Sequence, residues 1–462
     1  MTSRLEPQRI DAQLASVLPE GALFAVGGRV RDEVRSALDG TPRPAKDLDY
    51  VAVGLGLDEL VTRLSALGRA NVVGASFAVV KVAVDEAIVD VALPRRERST
   101  GAAHRDFDVE WGPDIPLADD LARRDFRMNM LARAIGAQEL VDPYGGAADI
   151  AARRIDILCE AAFREDPLRM LRACQFAARF EYEVSPRTFA AMRAAAPLVR
   201  SVSAERVHEE LVKLLATAQR PSLGLELMRE TGILADVLPE LAEGVGVKQN
   251  AFHAYDVYRH GLATVDATSP GDLVLRLAAL LHDVGKPRSK DGPHFYGHEI
   301  VGADMAAGLM GRLRFSHAEV ETVAGLVRHH MYATEPEMTD GAVRRFVRRV
   351  GEPNLGRQFA LRYADIAGSG LPKRGDGNER FEARVRNLLD AFPPLATNDL
   401  AIDGHEIVAA AIRHGRLPVG SRGGAIVGQI LHMLLDAVLE NPELNQRDTL
   451  RALTEQRLSE ST

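Results

Sequence analysis

A chain of 462 residues is too long for one ordinary hydrophobic core, and 46% hydrophobic with 26% charged residues is the composition of packed globular domains. No apolar run approaches the roughly 20 residues of a membrane helix, two cysteines (Cys159, Cys174) cannot build a disulfide framework, and the N-terminus lacks the layout of a secretory signal, so a cytoplasmic location is expected. A formal charge of −8 argues against a protein that coats nucleic acid, yet arginine clusters (Arg95, Arg96 and Arg98; Arg123 and Arg124; Arg344, Arg345, Arg348 and Arg349) leave room for local phosphate contact.

In chain order, the apolar run 22–26 followed by Gly27-Gly28 and an amphipathic stretch to about Leu38 predicts strand, tight turn and helix. A Gly/Pro-rich loop, Gly40 to Pro44, leads to a second strand over 48–53, and the runs 77–84 and 87–93 predict a hairpin turning near Asp85 and Glu86. The stretch from the third of these strands to Arg123 reads as a long loop. From about Ala151 strand signals nearly vanish, and apolar residues recur at three and four positions through 166–180, 204–216, 222–235 and 273–282, then again over 384–392 and 424–439. The expected organisation is an α/β head (1–150), an all-α neck (151–245), a helical domain (246–370) and a helical tail (371–462).

Asp47-Leu48-Asp49 opens a strand, and the strand period of two places both carboxylates on one face. A third, Asp90, lies inside the run Ile88-Val89-Asp90-Val91, where an unpaired acid facing the core would be costly. Three carboxylates from adjacent strands form a hard oxygen site suited to Mg²⁺. Upstream, Gly27 and Gly28 let the backbone approach an anion at a helix start, and Arg31 is placed to pair with phosphate oxygens; a triphosphate is the expected ligand.

This combination resembles the polymerase-β-like nucleotidyltransferases and, more narrowly, the class II tRNA nucleotidyltransferases and bacterial poly(A) polymerases. The resemblance continues through Arg123-Arg124-Asp125-Phe126-Arg127-Met128-Asn129, Asp142-Pro143-Tyr144-Gly145-Gly146, Glu165-Asp166-Pro167-Leu168-Arg169-Met170-Leu171-Arg172 and Glu205-Arg206-Val207-His208-Glu209-Glu210. It implies that Asp47 and Asp49 bind the catalytic metals, with Asp90 as third acid. It also implies that Arg124, Asp125 and Asn129 lie against the incoming ribose, and that Asp166 and Arg169, in a motif that also carries Arg172, read the base edge. Asp166 can accept from the exocyclic amine that C and A share, and Arg169 can donate to a ring acceptor. Arg127 stands where the family usually has Thr. The implied partners are tRNA, CTP and ATP, and the length of the segment before Arg123 favours addition of the terminal adenosine.

A second constellation consists of His260, His282-Asp283, His298, His329-His330 and Asp365. Imidazole and carboxylate ligands brought together across helices suit a divalent transition metal, or a pair of them sharing Asp283. The order resembles the HD phosphohydrolase superfamily, whose pattern falls on His260, His282, Asp283 and Asp365, with His298 and His329 or His330 as further ligands. The expected set is His260, His282, Asp283, His298, His329 and Asp365. Neither cysteine has an evident base partner, so no covalent nucleophile is expected. Two other readings stay open at this point: a poly(A) polymerase, and a metal-dependent phosphohydrolase with a non-catalytic RNA-binding head.

Overall fold

The computed structural model describes residues 7–43, 48–73, 78–99, 107–251, 253–372, 375–391 and 393–460. The chain divides into two compact units, Met1–Pro239 and Glu240–Thr462. No helix among the described residues is long and apolar enough to cross a membrane.

The first unit opens with α1 (Pro7–Val17), β1 (Leu23–Val26), α2 (Gly28–Asp39), β2 (Asp49–Ala52), α3 (Leu57–Leu64) and β3 (Ala70–Val73). The hairpin β4 (Val79–Val84) and β5 (Ala87–Ala92) follows, turning at Asp85, whose φ of 53° marks the tight reversal. Alternation in β4 buries Val80, Val82 and Val84, and its partner β5 buries Val89 and Val91. Lys81 and Asp90 thereby come to the opposite, less buried face, alongside Val79, Ala83 and Ile88.

Between the third acid and Arg123 the expected long loop is in part a second antiparallel hairpin, β6 (Arg95–Ser99) with β7 (Phe107–Trp111), in register from Arg95 and Trp111. The period-two signal of Phe107, Val109 and Trp111 was present in the sequence, but its partner strand is almost wholly charged and carries no hydrophobic alternation. After α4 (Leu117–Ala122), strands β8 (Ala132–Ala134) and β9 (Leu140–Val141) complete a seven-stranded sheet in the order β3-β4-β5-β2-β1-β8-β9. Val26, Val51, Leu121, Met130 and Ala132 form a core cluster in this unit.

The chain then becomes helical: α5 (Gly146–Ala151), α6 (Ala162–Glu165), α7 (Leu168–Phe180), α8 (Pro186–Ala195), α9 (Ala204–Thr217), α10 (Pro221–Thr231), α11 (Leu234–Val237) and α12 (Pro239–Ala242). Two-residue strands β10 (Arg154–Ile155) and β11 (Glu183–Val184) pair in parallel. Helix α7 packs on α9 and α10 through a face that buries Met170, Leu171, Cys174 and Ala178.

The second unit carries α13 (Val257–Asp266), α14 (Leu273–Leu281), a small hairpin of β12 (Lys290–Asp291) and β13 (His294–Phe295), α15 (His298–Arg312), α16 (His317–Arg328), α17 (Asp340–Val350), α18 (Leu355–Gly368), α19 (Asp376–Asp390), α20 (Gly404–Arg413), α21 (Ala425–Glu440) and α22 (Arg447–Glu460). Phe346, Phe359 and Phe381 pack with Tyr332, so α17, α18 and α19 share one core. A further core, from Leu400 to Leu458, is supplied by α20, α21 and α22. Arg344, Arg345 and Arg348 bond the C-terminal end of α21 through Leu439, Glu440 and Asp436. That arginine cluster is a helix-helix clamp and is not a free basic stripe.

Two candidate catalytic sites

The head site is built where β1 ends. Gly27 has φ +74° and ψ −138°, a conformation L side chains rarely adopt, and a Cβ there would stand 2.9 Å from Arg124 Nη1. The glycine therefore both turns the chain into α2 and lets the Arg124 guanidinium lie against the turn. Arg124 is held by Asp120 at 3.3 Å, and its buried Nε has no hydrogen-bond partner. Burial pulls the Arg124 pKa down, against the charges of Asp120 and Asp49. An orphaned guanidinium donor beside a glycine turn at a helix start is an arrangement that an anion would complete.

On the next two strands of the sheet, Asp49 and Asp90 are register partners of the parallel pair β2 and β5, so their side chains leave the same face of the sheet. Asp90 also holds Lys81 of β4, at 2.6 and 2.8 Å from its two oxygens. Asp47 lies outside the described residues.

Arg31, expected to face a phosphate, is instead committed within the protein. Its guanidinium makes a bidentate pair with Asp32, donates to Asn129 Oδ1 at 2.9 Å and stacks 4.7 Å above Phe180. It is buried because Asn129 and the aromatic end of α7 close over it. From Asn129 the network runs on: its Nδ2 donates to Asp125 at 2.8 Å, and Asp125 accepts from Arg172 Nε at 2.7 Å. Burial would raise the Asp125 carboxyl, but the Arg172 charge and these hydrogen bonds hold it below the usual range.

Asp166 and Arg169 stand at the start of α7. Asp166 accepts from Leu168 N at 3.1 Å and pairs with Arg206 at 2.8 Å; Arg169 donates to the Arg123 carbonyl at 2.6 Å and to Glu165 at 3.2 Å. The Arg169 bond ties α7 to the Arg123-Arg124-Asp125 segment. Arg127 spends its guanidinium on Asp149 and Asp156, at 3.0 and 3.4 Å, which accounts for a long cation at that place.

The second centre gathers four helices of the second unit on one carboxylate. Asp283 Oδ2 lies 3.4 Å from His260 Nε2 and 3.3 Å from His282 Nε2, while Oδ1 lies 3.3 Å from His298 Nε2 and 3.6 Å from His330 Nε2. Asp365 Oδ1 closes the first set at 3.2 Å from His260. In every one of these histidines Nδ1 faces a backbone carbonyl, of Gly368, Ala279, Phe295 and Val327 respectively, at 2.7–3.1 Å. A donating Nδ1–H leaves each Nε2 lone pair for a ligand, the arrangement in which histidine binds metal. Gly285 makes the approach possible, since a Cβ there would meet the His298 carbonyl at 2.3 Å.

The buried Asp283 carboxyl would be raised by burial but is held well below its ordinary range by His282 and Lys286, the latter 2.5 Å away. His330 completes the second set, and His329 does not. Helix α16 ends at Arg328 and His329 caps it, so the chain turns His330 inward and leaves His329 half-buried beside Arg328 and Arg349, with its pKa lowered by burial and those cations. Sequence reasoning also missed His253, whose ring stands edge-on to His260 at 4.7 Å and forms a ligand-capable group with His260 and Asp365. Lys286 and Arg362 were missed as well; both line the cleft of about 670 Å³ over this centre. The His-Asp-x-x-Lys spacing is a signal that could have found Lys286.

The first unit thus has the sheet and paired acids of a nucleotidyltransferase head, and the second unit a histidine-aspartate metal centre. Residues 23–156 match the model described as "Poly A polymerase head domain", 181–244 that of the "Probable RNA and SrmB-binding site of polymerase A", and 252–367 that of the HD domain. A multifunctional CCA protein of Nitrosococcus oceani is 32% identical over 428 residues, 90% of this chain and 97% of that one. An A-adding tRNA nucleotidyltransferase of Deinococcus radiodurans is 35% identical over 366 residues, 73% of this chain and 78% of its own. Among solved structures, the Bacillus stearothermophilus CCA-adding enzyme in complex with CTP superposes with a TM-score of 0.65 at 22% identity, covering 100% of this chain and 99% of its own. The chain belongs to the CCA-adding tRNA nucleotidyltransferase family, in the branch with a poly(A) polymerase head and an HD domain. The family's nucleotidyltransferases are typically metal-dependent, and the His/Asp cluster is a donor set that could hold a metal ion.

Proposed function

We propose that this chain, acting in the cytoplasm, adds C and A nucleotides to tRNA 3′ ends from CTP and ATP without a nucleic-acid template. The observation that carries the reading is the pairing of Asp49 with Asp90 across β2 and β5, on the strand neighbouring the Gly27–Arg124 turn. Asp49 and Asp90, with Asp47, are the residues that would hold Mg²⁺, which supplies neutralisation of phosphate charge and acidity at the attacking hydroxyl. The N–H groups at the start of α2, with Arg124, hold the triphosphate. Asp125 and Asn129, fixed by Arg172 and Arg31, face the ribose, and Asp166 and Arg169 read the base. In the reaction the tRNA O3′ bonds to the α-phosphorus, the bond from that phosphorus to the β-bridging oxygen breaks, pyrophosphate leaves and the hydroxyl proton passes to solvent.

Solved relatives support the substrates: the Bacillus stearothermophilus enzyme is in complex with CTP, and a Thermotoga maritima CCA-adding enzyme with a TM-score of 0.58 is complexed with tRNA. The HD centre supports a second activity, hydrolysis of phosphate esters, because Asp283 offers one oxygen to each of two histidine pairs, a donor set suited to two divalent transition-metal ions.

The test is to incubate the protein and Mg²⁺ with tRNA transcripts ending before CCA, after C and after CC, with each nucleotide and with CTP plus ATP. Three residues added to the shortest transcript, then a stop, establish CCA addition; a single A on the CC-ended transcript alone establishes A addition. Unlimited A on any RNA replaces the reading with a poly(A) polymerase, and no extension overturns it in favour of the phosphohydrolase.

A further inference from the structure

The histidines around Asp283 share one device: Nδ1 faces a backbone carbonyl and Nε2 carries the lone pair. His253 repeats it with a side chain. Its Nδ1 lies 3.1 Å from Asn250 Oδ1, and the same tautomer puts the lone pair on Nε2. The ring stands at 77° to the His260 ring with centroids 4.7 Å apart, and the ligand atoms of His253, His260 and Asp365 all lie within 4.8 Å of one another. An ion that holds nitrogen and oxygen donors at about 2.0–2.2 Å spans such a set with little side-chain movement.

The segment that carries His253 is fastened to the elements that carry the other donors. Ala254 N donates to the Ser369 carbonyl at 2.9 Å, just beyond α18, the helix of Asp365. Gly370, at φ +71°, lets the Tyr255 ring approach, since a Cβ there would stand 2.6 Å from its Cε2. On the other side Gln249 Oε1 accepts from Lys286 Nζ at 2.7 Å, and the same Nζ holds Asp283 at 2.5 Å. Both His253 and Asn250 line the cleft over the centre. His260 has one nitrogen to give: its Nδ1 faces the Gly368 carbonyl, and its Nε2 is the atom near His282, Asp283 and Asp365. His253 therefore adds to that position and does not define a separate one.

We propose that His253 is a further metal ligand of the HD centre, a third imidazole for the ion held by His260, His282, Asp283 and Asp365. The proposal rests on reading the histidine-aspartate cluster as a metal centre. The two positions that share Asp283 are then unequal. One has the imidazoles of His253, His260 and His282 and the carboxylate of Asp365, and the other has the imidazoles of His298 and His330. The richer set binds its divalent transition-metal ion more tightly and fills first, and the poorer set leaves more of its ion's coordination open.

The test uses the full-length protein stripped of metal, with Co²⁺ alone as the probe and the variants His253→Ala and His294→Ala. His294 lines the same cleft but belongs to no ligand group among the described residues. The first equivalent of Co²⁺, measured by competition with a chelating dye, is expected to bind about ten- to a hundred-fold more weakly to His253→Ala. The second equivalent, and both equivalents in His294→Ala, bind as in the native protein. Ligand histidines are also counted directly, because each gives a solvent-exchangeable imidazole N–H signal that the paramagnetic ion shifts far out of the ordinary proton spectrum. With one equivalent bound, the native protein is expected to show such a signal for each of His253, His260 and His282, and His253→Ala to lack one. Native affinity in His253→Ala, the same loss in His294→Ala, or signals from only two imidazoles in the native protein overturns the ligand role while the metal centre stands. Failure of the native protein to bind Co²⁺ overturns the metal centre and the ligand role with it.

Discussion

Asp49 and Asp90 are register partners on the parallel strands β2 and β5, and Asp90 carries Lys81 across both of its oxygens. The lysine and the aspartate are each more than a third exposed, so their ion pair contributes at most about 1 kcal/mol. A divalent cation competes easily with such a partner. Asp49→Ala is therefore expected to lower nucleotide addition by about 100-fold or more, while phosphate-ester hydrolysis stays native. Lys81→Ala is expected to leave both the melting temperature and the addition rate within a few-fold of native. A gel assay of tRNA extension checks both; a Lys81→Ala defect as large as that of Asp49→Ala would give the lysine a role in the chemistry.

The shared carboxylate of Asp283 gives the converse prediction. Asp283→Ala removes the oxygens that face all four inward histidines and is expected to strip the second unit of metal and abolish phosphate-ester hydrolysis, with tRNA extension unaffected. Elemental analysis of purified protein reads the metal directly. In the same measurement His330→Ala loses metal and His329→Ala keeps it, and the reverse pattern would return the ligand role to His329.

That last distinction shows what the sequence could and could not convey. The glycine turn between strand and helix, Asp49 at the start of a strand and the His-Asp pair at the end of a helix are local patterns, and the strand and helix periods around them locate those three. Which member of His329-His330 points inward depends on where α16 ends, and a one-residue shift in a helix cap reverses the answer. Arg31 looked like a phosphate ligand because it follows the glycines, yet its partner Asn129 lies 98 residues away and α7 supplies the aromatic rings beneath it. Partners that distant leave no local trace. His253 lies in the loop before α13, and Asp365, which completes its group with His260, comes from the distant α18.

At the start of α7, Asp166 is held by Arg206, and Arg169 by Glu165 and the Arg123 carbonyl. Both side chains are thus pre-oriented by the protein, which suits a rigid reader of the base edge. Arg169→Ala removes one of the two reading groups and is expected to raise misincorporation of U or G relative to C and A by about ten-fold or more, together with a loss of overall rate. Arg206→Ala is expected to raise the KM for CTP and ATP without relaxing selection. Competition assays with mixed nucleotides check this, and native selectivity in Arg169→Ala would remove the arginine from base reading.

The fold of the head depends on a buried ionic cluster that lies outside the metal site. Arg29 reaches Asp11 at 2.9 and 2.6 Å through its two terminal nitrogens, and the Tyr50 hydroxyl donates to Asp11 at 2.7 Å. Burial would raise the Asp11 carboxyl, but the bonds from Arg29 and Tyr50 and the charges of Arg29 and Arg133 hold it below its ordinary value. A carboxylate whose folded pKa is depressed stabilises the fold fully above its unfolded pKa of about 4, and that contribution disappears as the pH falls through the folded value. Asp11→Asn keeps the shape but leaves Arg29 buried without its counter-charge, so a loss of about 3–5 kcal/mol is expected at neutral pH. The gap between native and variant should then narrow as the pH falls below about 4, where the unfolded carboxyl takes up its proton, and close once the pH passes the lower folded value of Asp11. Denaturant unfolding of both proteins from neutral to acid pH measures this directly. A gap that stays constant across the range would mean that packing, and not the Arg29–Asp11 charge pair, anchors α1 to the sheet.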